Sequence, residues 1–202
     1  YDRAMSSLID PIDLTRALVR CPSVTPADEG ALGVVETALR SLGFRIERMR
    51  FEESGTAPVE NIYARWGHGG RNFCFAGHTD VVPTGPLSDW TYPPFEGAVD
   101  GGLLWGRGAA DMKGAIAAFI AAARRCIVSG SAAAHSISLL ITGDEEGVAL
   151  NGTRKVLRRL SEKGERIDLC LVGEPSSVER LGDVIKVGRR GSMNCRLTVK
   201  GR

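Results

Sequence analysis

The chain has 202 residues, of which 43% are apolar and 25% charged, and a formal net charge of +2. That is enough apolar side chain to bury the core of about one domain, and too little excess charge to imply a nucleic acid partner. Five cysteines, Cys21, Cys74, Cys126, Cys170 and Cys195, lie far apart with no CxxC pair, which argues against a disulfide framework or a thiolate zinc site and fits a reducing cytoplasm.

The start, Tyr1-Asp2-Arg3-Ala4-Met5, lacks the basic-then-apolar order of a signal peptide, and residues 1–4 are read as an extension ahead of Met5. Leu14, Leu18 and Val19 ahead of Cys21-Pro22 predict a short helix that ends before the proline. Leu32, Val35, Leu39 and Leu42 share one face of a second helix over about residues 29–42, with Gly43 as its stop. Strand patterns follow at residues 45–51, 61–66 and 72–76, and the last two flank Gly67-His68-Gly69-Gly70, which has the composition of a tight hairpin turn.

Helices and strands then alternate: a helix over residues 112–126, a strand at 136–142, a helix over 152–160 and a strand at 168–172. The apolar run at 115–123 is about half the length of a bilayer-spanning helix, so no membrane partner is expected. Arg124-Arg125 and Arg158-Arg159 read as solvated helix faces, and the cysteines fall at core positions. Crossover helices between strands imply an α/β layer structure with a largely parallel mixed sheet. From Asp183 the pattern becomes strand, turn, strand, over residues 184–187, 188–191 and 194–199, and a stop at residue 202 directly afterwards reads as truncation.

In such sheets ligands bind beyond the carboxyl ends of the strands, where His78, Asp80, Glu145, Glu146 and Glu174 are expected. Imidazole and carboxylate suit zinc, and one carboxylate can bridge two ions. Asp111, in a glycine-flanked loop ahead of a helix, is the natural bridge. His78 and Asp80 are two apart, so on an extended segment they point the same way, and Asp80 would hydrogen-bond the ring of His78. The adjacent pair Glu145-Glu146 divides most simply into one metal ligand and one general base.

Each residue also has a structural reading. His78 alone reads more often as a structural histidine than as a ligand, Asp80 as a turn residue, Glu145-Glu146 after Asp144 as a solvated acidic turn, and Glu174 before Pro175 as a loop cap. Coincidence at one sheet edge is what favours a metal site. His68 and His135 read as surface residues, and neither a Walker phosphate loop nor a Gly-x-Ser-x-Gly elbow is present.

The runs GHTDVVPTG at residues 77–85, WTYPPF at 90–95, WGRGAADMKG at 105–114, LLITGDEEG at 139–147 with NGT at 151–153, and GEPSS at 173–177 resemble the M20 family of dinuclear zinc amidohydrolases and peptidases. Details at 81–85, 109–110 and 189–192 point to the branch that removes a succinyl group from an amino-acid amine. The resemblance implies a three-layer catalytic domain over residues 1–190 and, over 191–202, the first strand of a truncated α+β lid and dimerisation domain. It implies that His78 and Glu174 bind one zinc, Glu146 the other, and Asp111 bridges them. Asp80, which orients His78, and Glu145, the general base, would be the catalytic pair, with Arg189 or Arg190 on a substrate carboxylate. Two Zn2+ per intact subunit, with Co2+ able to substitute, a small-molecule substrate and a homodimer follow from the same likeness. The family's remaining histidine ligand and a lid histidine have no counterpart in these residues, so the chain by itself is expected to be inactive. The alternatives are another deacylase of the family, acting on acetylornithine or an acylated amino acid, and a catalytically silent binding or assembly module.

Overall fold

Asp10 opens the first helix: its carboxylate accepts the amides of Ile12 and Asp13 at 2.8 and 3.1 Å, and Pro11 supplies a preset φ. In the computed structural model, which describes residues 9–188, 191, 193 and 195–201, this helix is α1, Pro11–Val19. It is followed by α2 (Ala31–Ser41), β1 (Arg45–Phe51), β2 (Val59–Trp66) and β3 (Asn72–His78). Then come β4 (Ala98–Asp100), β5 (Leu103–Trp105), α3 (Gly114–Val128), β6 (Ser136–Thr142), α4 (Thr153–Glu162) and β7 (Leu169–Val172).

Five strands form one mixed sheet in the order β1-β2-β6-β3-β7. β1 with β2 and β2 with β6 are antiparallel, while β3 is parallel to both β6 and β7. The expected mixed α/β layering is found, and its parallel half is the part that carries the candidate site. On one face Leu14, Leu18, Leu32, Val35, Leu39, Ile116 and Ile120 pack against Ile62, Phe75, Leu139 and Ile141. On the other, Val156 and Leu160 of α4 cover Met49, Tyr63, Cys74 and Leu140. Each fully buried Leu or Ile contributes about 1.5–3 kcal/mol, against about 0–1 kcal/mol for an exposed ion pair such as Arg40–Glu36, so the apolar stripes set the layering.

Several expectations are corrected. The 67–70 connection is not a hairpin turn, because β6 lies between β2 and β3. The loop instead crosses the start of β6: Gly70, at φ 63°, leaves no room for a Cβ beside the Ala134 carbonyl, and Ser136 Oγ donates to the Gly69 carbonyl at 2.9 Å. We expect Gly70→Ala to destabilise the fold by about 2–4 kcal/mol, combining left-handed strain with overpacking against a main-chain carbonyl. Urea unfolding midpoints measure this, and a loss below about 1 kcal/mol would mean that the crossing is adjustable.

The third helix begins at Gly114 rather than at residue 112, because Asp111 and Met112 have non-helical φ/ψ (−124°, 97° and −134°, 26°). The β4–β5 hairpin was not anticipated, although Asp100-Gly101-Gly102 is a turn pattern and both glycines have positive φ. No strand forms among the described residues at 184–187 or 195–199, where Val187, Leu197 and Val199 are exposed and no described strand lies alongside to complete a ladder. Of the cysteines only Cys74 is fully buried. Cys126 sits on the solvent side of α3 and Cys170 on the exposed edge strand β7, so helical or strand position alone did not place them in the core. Arg189 and Arg190 lie outside the described residues.

Candidate metal centre

Strand register brings the acidic segments to one place. His78 ends β3 level with Thr142, the last residue of β6, and Gly173 donates its amide to the Ala76 carbonyl at 3.0 Å as the chain leaves β7. Asp144, Glu145 and Glu146 therefore emerge beside His78 on one side, and Glu174 on the other. The glycines before the charged residues have a packing reason. A Cβ on Gly77 would meet Met112 Cε at 2.6 Å, and one on Gly173 would meet the same atom at 2.8 Å and the ring of Phe75. Met112 thus lies beneath both strand ends, and its sulfur accepts the His78 amide at 3.3 Å.

His78 is 1% exposed, and its Nε2 faces Asp111 Oδ1 at 3.2 Å and Glu174 Oε1 at 3.5 Å. Two sets of ligand atoms lie within 4.8 Å of one another, His78 with Asp111 and Glu146, and His78 with Glu145 and Glu174. Five of the six residues expected around the site, His78, Asp111, Glu145, Glu146 and Glu174, are therefore brought together. Asp80 is adjacent and buried, but its role in the geometry differs from the expectation. The ring Nδ1 of His78 meets the main-chain carbonyl of Asp80 at 2.9 Å, whereas the Asp80 carboxylate is 3.6 Å away. Because β3 ends at His78, Asp80 does not continue the strand's alternation, and its carboxylate reaches the amides of Glu145 at 3.1 Å and Glu146 at 3.0 Å.

Electrostatics at this edge are those of crowded acids. Burial pushes the carboxyls of Glu146 and Glu174 above their ordinary range; the His78 charge opposes this and neighbouring carboxylates, including Asp111 and Glu145, add to it. For His78, burial works against the charged form, but the Asp80 carbonyl and the charges of Asp80, Glu174 and Glu145 outweigh it and raise its pKa. One imidazole among several partly buried carboxylates is a donor set that fits a hard or borderline divalent cation, which would relieve the repulsion.

Other residues that hold the site were not evident from sequence. Ser23 Oγ donates to the Thr79 carbonyl at 2.7 Å, and Ser23 and Thr25 exchange main-chain bonds with Val81, so residues 23–25 form a strap along the 79–81 segment. Buried Lys113 anchors this strap through the Cys21 carbonyl at 2.9 Å, and burial lowers its pKa to about 8. Asp144, which read as part of an acidic turn, is 5% exposed and accepts the amides of Ala149 and Asn151. A carboxylate followed by a glycine-containing turn was its only sequence cue.

Residues 74–200 match the family described as Peptidase family M20/M25/M40. The chain belongs to this family. Among curated proteins it is 59% identical over 196 residues to a succinyl-diaminopimelate desuccinylase from Parvibaculum lavamentivorans, covering 97% of this chain and 49% of that protein. It is 60% identical over 192 residues to one from Rhodospirillum centenum, covering 95% of this chain and 50% of that protein. The chain thus spans about half the length of the curated relatives it matches. Two solved structures share the fold. Human carnosine dipeptidase 1 aligns with TM-score 0.67 at 23% identity over 85% of this chain and 41% of its own. An M20 family metallo-carboxypeptidase from Sulfolobus solfataricus aligns with TM-score 0.66 at 22% identity over 81% of this chain and 37% of its own. The M20 match includes β3 from Cys74 onward and all of β6 and β7, the three parallel strands at or beyond whose ends His78, Glu145, Glu146 and Glu174 gather. Among the described residues no helix is long and apolar enough to cross a membrane.

Proposed function

We propose that these residues belong to a metal-dependent amidohydrolase that removes the succinyl group from N-succinyl-LL-2,6-diaminopimelate, giving succinate and LL-2,6-diaminopimelate. The convergence of Asp111, Glu145, Glu146 and Glu174 on the buried imidazole of His78 carries the hydrolytic reading. The identity of about 60% to proteins named for this reaction supports the acyl group.

In this reading His78 and Glu174 would hold one Zn2+, Glu146 would hold a second, and Asp111 would be the carboxylate available to both. When bound, the two ions supply Lewis acidity, which makes water a better nucleophile and stabilises negative charge on the amide oxygen. Glu145 accepts a proton from the attacking water and passes it to the leaving amine nitrogen as the carbon–nitrogen bond breaks. The Met112 sulfur and the 23–25 strap hold the end of β3, so that His78 Nε2 faces Asp111 and Glu174. Arg189 on a substrate carboxylate, a homodimer and a cytoplasmic location belong to the same reading.

Side-by-side turnover of succinyl-diaminopimelate and acetylornithine by the full-length, zinc-loaded protein tests it. Hydrolysis of the succinyl substrate with a preference of at least about 100-fold is expected, since a site built to pair the distal carboxylate loses those contacts with an acetyl group. Hydrolysis of acetylornithine alone would overturn the substrate assignment. Addition of a chelator is expected to abolish turnover, and added Zn2+ to restore it.

A further inference from the structure

The Asp80 side chain is fully buried, and its two oxygens are spent on main chain rather than on the imidazole two residues before it. Glu145 N lies 3.2 and 3.1 Å from the two carboxylate oxygens, and Glu146 N lies 3.0 Å from Oδ2. Neither amide has a main-chain acceptor among the described residues, because β6 ends at Thr142 and no helix or strand follows until Thr153. We propose that Asp80 is the positioning residue of the Glu145-Glu146 turn, fixing the directions in which the general base and the adjacent metal ligand leave the backbone. This rests on the amidohydrolase reading given above.

Three observations carry the proposal. First, a carboxylate held away from water makes amide bonds roughly twice as strong as a neutral acceptor does, so this single side chain outweighs the other contacts available to an irregular turn. Second, the remainder of the same loop is built by the same means, with the buried Asp144 carboxylate accepting the Ala149 and Asn151 amides at 3.0 and 3.1 Å. Third, the two tasks of Asp80 are divided between its atoms: the main-chain carbonyl takes His78 Nδ1 at 2.9 Å, and the carboxylate takes the turn. Removing the carboxylate therefore leaves the imidazole's partner in place. The end of β3 and the segment after β6 become one rigid piece, which is what proton transfer by Glu145 requires, since a displacement of about 1 Å costs on the order of 100-fold in rate.

Amide hydrogen exchange in the full chain tests this, comparing the unmodified protein with Asp80→Ala and Asp80→Asn. In the unmodified protein the Glu145 and Glu146 amides are expected to be protected although they have no main-chain acceptor. Asp80→Ala is expected to speed exchange at these two positions by at least about tenfold and to leave Thr79 and Val81 unchanged, since their amides bond the Thr142 and Ser23 carbonyls. Asp80→Asn, which keeps a carbonyl acceptor, is expected to fall between the two. In the zinc-loaded full-length protein kcat should fall in the same order with KM held, and Zn2+ at His78 should remain. Unprotected Glu145 and Glu146 amides in the unmodified protein would overturn the proposal. So would acceleration spread equally over Thr79 and Val81, or an Asp80→Asn variant as fast as Asp80→Ala. The exchange readout needs no substrate, so it decides the inference even if the succinyl amide proves not to be hydrolysed.

Discussion

Glu145→Gln in the full-length protein is expected to lower kcat by about 10²–10⁴-fold while both Zn2+ ions remain bound and KM stays within a few fold. The substitution keeps the shape of the side chain and removes only its ability to accept and return a proton. The geometry makes this a sharp test, because Glu145 is also close enough to His78 and Glu174 for its carboxylate to act as a ligand. Two carboxylates in sequence emerge from one turn, and the proposed roles differ only in which of them holds metal. If Glu145→Gln loses metal while Glu146→Gln keeps it, the roles are exchanged. If Glu145→Gln retains activity within about tenfold, neither hydrogen-bond reach nor proximity has identified the base. Metal analysis after gel filtration and steady-state kinetics on the same preparations separate these outcomes.

Much of the fold was legible in local pattern. The expected strands at 45–51 and 136–142 match β1 and β6, because a charged edge strand and a buried apolar run each state their period plainly. What local pattern could not supply was strand order. Placing β6 between β2 and β3 requires a crossover through α3, and the glycines at 67–70 suit either a hairpin turn or a loop passing over another strand. Similarly, the strand-like residues at 184–187 and 195–199 have the right alternation but no described neighbour to pair with.

At the site, the residue types were legible because His78, Glu145, Glu146 and Glu174 lie at or just beyond strand ends, and Asp111 lies on a glycine-flanked turn ahead of α3. The expected pairing of Asp80 with the His78 ring was drawn from strand alternation, which lapses where β3 stops at His78. The structural parts of Met112 and Asp144 were hidden for a different reason. A buried methionine has no chemical signature of its own, and an aspartate in an acidic run looks solvated until its amide partners are seen.

Asp111→Ala is expected to have the wider consequence, the loss of both metal ions rather than of one step. Asp111 is half exposed and sits on an irregular turn, so little in the packing depends on its side chain, and the fold should survive the change. Its Oδ1 is nevertheless 3.2 Å from His78 Nε2, and in the proposed arrangement it is the one carboxylate shared by both ions. Loss of an outer partner of a metal ligand costs about 10–100-fold in affinity, and loss of a shared ligand should exceed that at both positions. Turnover should therefore fall by more than about 10³-fold and recover little on adding excess Zn2+. The linked stability effect has a definite sign. Folding raises the pKa of Glu146 and Glu174, so each costs folded-state stability above its unfolded value near pH 4.5, and that cost disappears as the pH falls below it. Bound Zn2+ offsets this cost at neutral pH, so zinc should raise the Tm of the unmodified protein and leave that of Asp111→Ala nearly unchanged. A variant that still binds two ions tightly, with a full zinc-dependent rise in Tm, would show that the ions are held without a shared carboxylate at Asp111.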